Sequence, residues 1–207
     1  MSLTPEQAFL KRGFDLALSS LGLLAICWII IPAYILASLD TKASGFFIQK
    51  RIGREGKPFP LIKLRTMRKE KNPSTYVTTS HDPRITRLGR FWRRTKIDEL
   101  PQLINVFLGQ MSFVGPRPDM PGYADRLQGK DRVILTLRPG ITGPATLKYR
   151  DEEALLARAE DPQAYNDEVI WPDKLRLNRE YVESWSFGKD LRYIWRTMAR
   201  KSEDRGP

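Results

Sequence analysis

From residue 16 to residue 39 the chain carries no charged side chain and is made mostly of Leu, Ile and Ala. At about 1.5 Å per residue, a helix of that length reaches across the roughly 30 Å hydrocarbon core of a bilayer. A cleaved signal peptide is a poor match, because the apolar part is too long and no small-residue cleavage site closes it. A buried core helix of this kind would be hard to cover in a chain of 207 residues. The pattern therefore predicts a membrane-associated helix. Pro32 lies inside the run, where it removes a backbone bond to Trp28 and favours a break. Both flanks are basic, with Lys11 and Arg12 before the run and Lys42, Lys50, Arg51 and Arg54 after it. Basic flanks stay on the cytoplasmic side. This favours a helix–break–helix that dips into one leaflet and returns, against the competing reading of an ordinary single span.

After the apolar run the texture is that of a soluble α/β mixture. Residues 45–49 predict a short strand leading into a basic turn at Arg51-Ile52-Gly53-Arg54, and 59–67 predict a half-buried strand. The polar stretch 68–83, with Pro73 and Pro83, reads as a loop able to act as a lid. Ile85, Leu88, Phe91 and Trp92 recur at helical spacing among arginines, predicting a basic amphipathic helix over 84–94 of the kind that lies on a membrane surface or on its own core. A short helix to about Leu108 follows, and further helices are predicted at 152–160, 174–185 and 189–200. The tail 202–207 is predicted to be disordered.

The formal net charge of +11 points to anionic partners: nucleic acid, acidic lipid head groups or phosphorylated substrates. A single cysteine, Cys27, excludes an intramolecular disulfide, and with one histidine, His81, it excludes a Cys/His zinc site. His81 itself reads as a polar loop residue. The candidate chemistry sits at Asp98 and Glu99, directly after Arg87, Arg90, Arg93, Arg94 and Lys96. Thr95, three residues before Asp98, predicts a helix N-terminus at which negative charge is stabilised. Such acids could stay ionised, bind a metal or attack an anionic substrate, or they could be a solvated capping pair. Two rigid turns, Gly115-Pro116-Arg117-Pro118 and Arg138-Pro139-Gly140-Ile141-Thr142-Gly143, fix the backbone around arginines and suit anion binding. Neither is a P-loop or a dinucleotide fingerprint.

Five motifs occur in order: Lys11-Arg12-Gly13-Phe14-Asp15, Leu64-Arg65-Thr66-Met67, Asp98-Glu99-Leu100-Pro101-Gln102-Leu103, Ser112-Phe113-Val114-Gly115-Pro116-Arg117-Pro118 and Arg138-Pro139-Gly140-Ile141-Thr142-Gly143. Together they resemble the small monotopic phosphoglycosyl transferases, bacterial sugar transferases that start membrane-linked glycan assembly, over about residues 7–200. The resemblance implies transfer of a sugar phosphate from a UDP-sugar to undecaprenyl phosphate by a ping-pong course. In it Asp98 is the nucleophile and a Mg²⁺ ligand, Glu99 is its dyad partner, and Lys63, Arg93, Arg117 and Arg150 are basic residues near the phosphates; Arg65 is a second-tier candidate and Arg138 is structural. The chain departs from the family pattern at three places. Ile31 precedes Pro32 where a serine is usual, Pro144-Ala145-Thr146-Leu147 follows the Ile-Thr-Gly segment, and Gly122 precedes Tyr123.

The expected fold is α/β, mostly helical with a small sheet. An N-terminal segment (1–40) would carry the re-entrant helix, and a catalytic domain (41–201) with amphipathic interfacial helices would lie on the cytoplasmic face of the bacterial inner membrane. Expected partners are the UDP-sugar, undecaprenyl phosphate and inner-membrane lipids, with room for a homo-oligomer and no nucleic acid. An inactive scaffold of the same fold is the alternative. A membrane-anchored nucleic-acid-binding protein leaves the acidic pair and both arginine turns unexplained.

Overall fold

The computed structural model describes residues 3–68 and 82–203. Most of the predicted lid, with His81, and the last four residues of the predicted tail lie outside the described residues.

The apolar run belongs to a longer helix than its composition predicts, α1 (Pro5–Thr41). Thr4 starts it with a capping box: its hydroxyl accepts from the Gln7 amide at 3.3 Å and its own amide donates to Gln7 Oε1 at 3.0 Å. Pro5 occupies the first turn, where no N–H is needed, and left-handed Lys42 (φ 52°) ends the helix. The helix continues through Pro32 as one element rather than as two helices separated by a break. The motif residues Lys11, Arg12 and Asp15 lie inside it and are its bolts to the rest of the chain. Lys11 pairs with Asp190, both buried. Asp15 accepts from the Ser112 hydroxyl and the Phe113 amide, each at 3.0 Å. Arg12 donates to the carbonyls of Val106 and Phe107, both at 2.7 Å.

Strands β1 (Phe46–Ile52) and β2 (Pro58–Leu64) form an antiparallel pair in which Phe46 faces Leu64 and Ile52 faces Pro58. Gly45, just before β1, lets the strand start against α1, since a Cβ there would lie 2.1 Å from the Tyr34 carbonyl oxygen. Helix α2 (Arg87–Thr95) is capped by Thr86, whose hydroxyl accepts from the Gly89 amide at 2.8 Å. It begins later than the hydrophobic pattern predicts, because Ile85 bridges to Met67 as extended chain. Trp92 is buried with Leu64, Ala33 and Ala37, whereas Phe91 faces outward.

Helix α3 (Gln102–Phe107) follows the acidic pair. β3 (Ser112–Val114) and β4 (Gly140–Thr142) form a two-stranded parallel pair, which sets the two glycine–proline turns side by side. Their glycines are there for room: a Cβ on Gly140 would meet the Gly115 amide nitrogen at 2.1 Å. The helix predicted over 152–160 is confined to α5 (Glu152–Leu156), after α4 (Pro144–Lys148). The chain then turns, and α6 (Pro162–Tyr165) starts at Asp161, whose carboxylate accepts from the Gln163 and Ala164 amides. A π-helical turn, Asn166–Ile170, leads into α7 (Trp171–Glu183), and α8 (Phe187–Glu203) closes the described chain.

Candidate active site

Asp98 and Glu99 lie in a short 3-10 turn, Ile97–Glu99, between α2 and α3. The sequence pattern predicted Thr95 as the cap of a helix containing them. Instead Thr95 is the last residue of α2, with its hydroxyl bonded back to the Phe91 carbonyl at 2.9 Å. The reversal is made by Lys96 in left-handed conformation (φ 60°). The physical reason lies in α2, which is long enough to reach Thr95, so the hydroxyl serves the end of one helix rather than the start of the next.

Asn105 of α3 fixes this turn against β2. Its side-chain oxygen accepts from the Ile62 amide at 3.0 Å, and its amide nitrogen donates to the Pro60 carbonyl at 2.7 Å and to Gln110 Oε1 at 2.6 Å. Lys63, the next residue on β2, is thereby aimed at the dyad. Lys63 Nζ and Arg117 Nη2 both donate to Glu99 Oε1, each at 3.2 Å. Arg117 comes from the rigid turn after β3, so three separate segments converge on one carboxylate.

The two acids differ in their surroundings. Burial pushes Glu99 upward, but the opposing charges of Lys63, Arg117 and Lys96 outweigh it and hold the carboxyl well below the usual range. Asp98 is also buried, and its titration moves the other way. Burial and the adjacent Glu99 charge raise it, against Lys63, Lys96 and Arg93. Asp98 Oδ1 is buried without a hydrogen-bond partner among the described residues. Lys63 is lowered by burial, with Glu99 opposing, and Arg117 is raised chiefly by Glu99.

The structure thus brings together Asp98, Glu99, Lys63 and Arg117. Arg93 stands close enough for its charge to act on Asp98, and its Nε donates to the Thr66 hydroxyl at 3.0 Å. Arg150 lies in the turn after α4, next to Tyr149 and two residues before Glu152. Arg65 bonds the carbonyls of Ser44 and Phe46 and so holds β1, and Arg138 donates to the Gly109 carbonyl at 2.7 Å, a structural part as expected. Further charges surround Arg117 that the sequence pattern does not disclose. Burial lowers Arg51, which in sequence looks like a membrane-flanking cation, to about 10, and Glu99, Asp119 and Glu152 oppose that fall. Arg51 Nη1 donates to the Pro118 carbonyl at 3.2 Å. Lys174 holds both oxygens of Glu152 at 2.7 Å. The one signal in sequence was the position of Asp119 directly behind Pro116-Arg117-Pro118.

Among the described residues no group of three or more His, Cys, Asp or Glu side chains forms a metal cage. A hard Mg²⁺ ion does not need one, since one or two carboxylates plus substrate phosphates suffice. The unpartnered Asp98 oxygen, with Glu99 already committed to cations, fits that kind of site.

A buried carboxylate beside paired cations, on a chain with a long apolar helix, is suited to chemistry on anionic groups such as phosphates. The chain belongs to the bacterial sugar transferase family, whose sequence model matches residues 6–203. The match places it among enzymes of the phosphoglycosyl transferase kind. It is 32% identical to the UDP-glucose:undecaprenyl-phosphate glucose-1-phosphate transferase of Escherichia coli, over 95% of this chain and 41% of that protein. The Caulobacter vibrioides protein of the same name is also 32% identical, over 91% of this chain and 68% of its own length. The exopolysaccharide production protein ExoY of Sinorhizobium fredii is 28% identical over 99% of this chain and 91% of its own. The chain therefore spans less than half the length of the E. coli relative and nearly all of ExoY.

Proposed function

We propose that this protein transfers a sugar phosphate from a UDP-sugar to undecaprenyl phosphate through a covalent aspartyl intermediate, as the first step of membrane-linked polysaccharide assembly. The observation that carries the reading is the unpartnered, buried Asp98 oxygen beside a Glu99 already neutralised by Lys63 and Arg117.

In the first half-reaction the Asp98 oxygen attacks the donor's β-phosphorus, the bond from that phosphorus to the bridging oxygen breaks, and UMP leaves. In the second, a phosphate oxygen of the lipid attacks the same phosphorus and Asp98 departs, leaving a lipid diphosphate sugar. Splitting one displacement in two is what a carboxylate nucleophile offers. The phosphoryl group itself needs positioning and charge neutralisation. Lys63 and Arg117 do both, and Glu99 keeps them aimed and charged. Arg93 and Arg150 supply further positive charge to the donor's phosphates. Asp98 would hold a Mg²⁺ ion, which would supply additional charge neutralisation.

The membrane reading is part of the proposal. α1 lies within the cytoplasmic leaflet of the inner membrane with both ends on the cytoplasmic face, so that a lipid phosphate and a soluble nucleotide sugar reach the same site. Supporting this, both ends of α1 pack on the catalytic domain: Lys11 on Asp190 of α8, and Ala33 and Ala37 on Leu64 and Trp92.

The test is UMP release by the purified protein in nanodiscs with Mg²⁺, undecaprenyl phosphate and a panel of UDP-sugars, beside Asp98→Asn. Sugar-dependent release that disappears in the variant is expected. With donor alone, intact-protein mass spectrometry should show one added sugar phosphate, absent in Asp98→Asn. Release that survives in Asp98→Asn would sink the covalent mechanism.

A further inference from the structure

Arg117 has two sides. One guanidinium nitrogen reaches Glu99, and the residue also lines a small cavity with Asp119, Gly53, Pro116, Ile134 and Leu135. Asp119 sits there on a fixed backbone. Its carbonyl oxygen accepts from the Ile52 amide at 2.9 Å, which extends the end of β1, and the preceding Pro118 carbonyl accepts from Arg51. Burial raises the titration of its carboxyl to about 6; the charges of Lys174, Arg51 and Arg117 favour the ionised carboxylate, and that of Glu152 opposes it. Yet the ion pairs around it are closed elsewhere: Lys174 is taken by Glu152, Arg51 by Gln49 and Pro118, and Arg117 by Glu99. Burial and neighbouring charges, not hydrogen bonds from the described residues, set the titration of the Asp119 carboxylate, which is only half-buried.

A partly exposed carboxylate set among cations that are bonded elsewhere can accept from a donor outside the chain. Proximity names the ligand part. In the transferase reading the reacting phosphorus is held at Arg117, and the sugar ring is joined through one oxygen to that same phosphorus, so Asp119, two residues further along the rigid turn, lies within reach of the sugar. Its hydroxyl and amide groups are hydrogen-bond donors, which carboxylates accept well. We propose that Asp119 accepts a hydrogen bond from the sugar of the donor and so selects which sugar is transferred. This rests on the transferase reading above and adds to it the residue that sets sugar preference.

A site built to hydrogen-bond a hydroxyl discriminates strongly against analogues that lack it or hold it elsewhere, because the acceptor is then left buried and unpaired. The experiment is kcat/KM for UMP formation with UDP-glucose, UDP-galactose and their two N-acetylamino counterparts. Wild type is compared with Asp119→Asn and Asp119→Ala, each first checked for an unchanged melting temperature within a few degrees. Asp119→Ala is expected to lower kcat/KM for the preferred donor about 100-fold and for the poorest donor far less, so that the ratio between them collapses by at least about tenfold. Asp119→Asn keeps an acceptor oxygen in the same place and should retain part of the preference. An equal loss on every donor, or an unchanged ratio, would overturn the assignment and make Asp119 a support for Arg117 only. If wild type released no UMP from any donor, the transferase reading itself would fall, an outcome separate from either result with the variants.

Discussion

Asp98 and Glu99 are neighbours in sequence with opposite fates, and the difference is a matter of bonds. Glu99 receives Lys63 and Arg117 and is stabilised as an anion. Asp98 is buried to 7% exposure with one oxygen unpartnered, so the fold pays to keep it charged. Asp98→Asn should therefore abolish transfer and, without Mg²⁺, raise the melting temperature at pH 7 by about 2–4 °C, the shift roughly 1 kcal/mol gives in a chain of this size. The sign with pH follows from the raised folded pKa of Asp98. Its charge costs stability at pH values above that pKa, and the cost fades as pH falls through it. The melting advantage of Asp98→Asn should shrink correspondingly on acidification, as calorimetry at a series of pH values would show. Glu99→Gln has the opposite sign. Its depressed folded pKa means the paired anion stabilises the fold above the unfolded value, and that stability is lost as pH falls through the folded pKa. Removing the charge leaves Lys63 buried without its partner, at a cost of about 2–3 kcal/mol near neutral pH in chemical denaturation.

At the scale of elements, the site depends on how α1 is fastened. Lys11 reaches the buried Asp190, which also accepts from the Tyr181 hydroxyl at 2.6 Å and the Trp185 indole at 3.2 Å. Lys11→Met leaves that carboxylate without its cation and should cost about 3 kcal/mol, whereas Lys11→Met with Asp190→Asn should recover much of the loss. Equal destabilisation in the single and the double variant would show that the pair carries no coupling. Here lies the limit of what the sequence discloses. The two strands of the hairpin, the short helix after the dyad and the last helix are all readable from hydrophobic spacing. Lys11, Arg12 and Asp15 are not, because periodicity counts a charged side chain as solvent-facing, while these three are satisfied by partners about a hundred or more residues away. Thr95 misleads for a related reason: a hydroxyl near a helix boundary serves whichever end the chain brings to it. Arg117 is legible as an anion-binding arginine from its rigid turn, but Lys63 is nameable only through the resemblance, since nothing local says that a strand lysine and a turn arginine meet on one carboxylate. Beyond its place behind Pro118, nothing in the local pattern singles out Asp119, because Lys174, Arg51 and Glu152 reach it from distant segments.

At the scale of the molecule, the decisive question is how α1 meets the bilayer. Its 37 residues make a helix of about 55 Å, more than the roughly 30 Å of hydrocarbon a perpendicular crossing needs. A crossing helix leaves its far end a bilayer thickness from the domain at its near end. α1 instead touches the domain at the start through Lys11, Arg12 and Asp15, midway at Gly22, where a Cβ would lie 3.0 Å from Leu103 Cδ1, and at the far end through Ala33 and Ala37. Its other side shows Leu21, Leu24, Trp28, Ile31, Ile35 and Leu39 outward, a stripe that belongs in lipid. A helix backed by protein on one side and by lipid on the other fits a single leaflet. Cys27, the one native thiol, is exposed on this helix and offers a labelling handle once replaced. In a Cys27→Ser background, Gly13→Cys and Ser44→Cys place thiols at the exposed positions just before and just after the apolar run. A membrane-impermeant maleimide should label neither variant in intact spheroplasts and both in inverted membrane vesicles. Labelling of one variant from each side would establish a span and would force one of the two sets of contacts along α1 to break in the membrane.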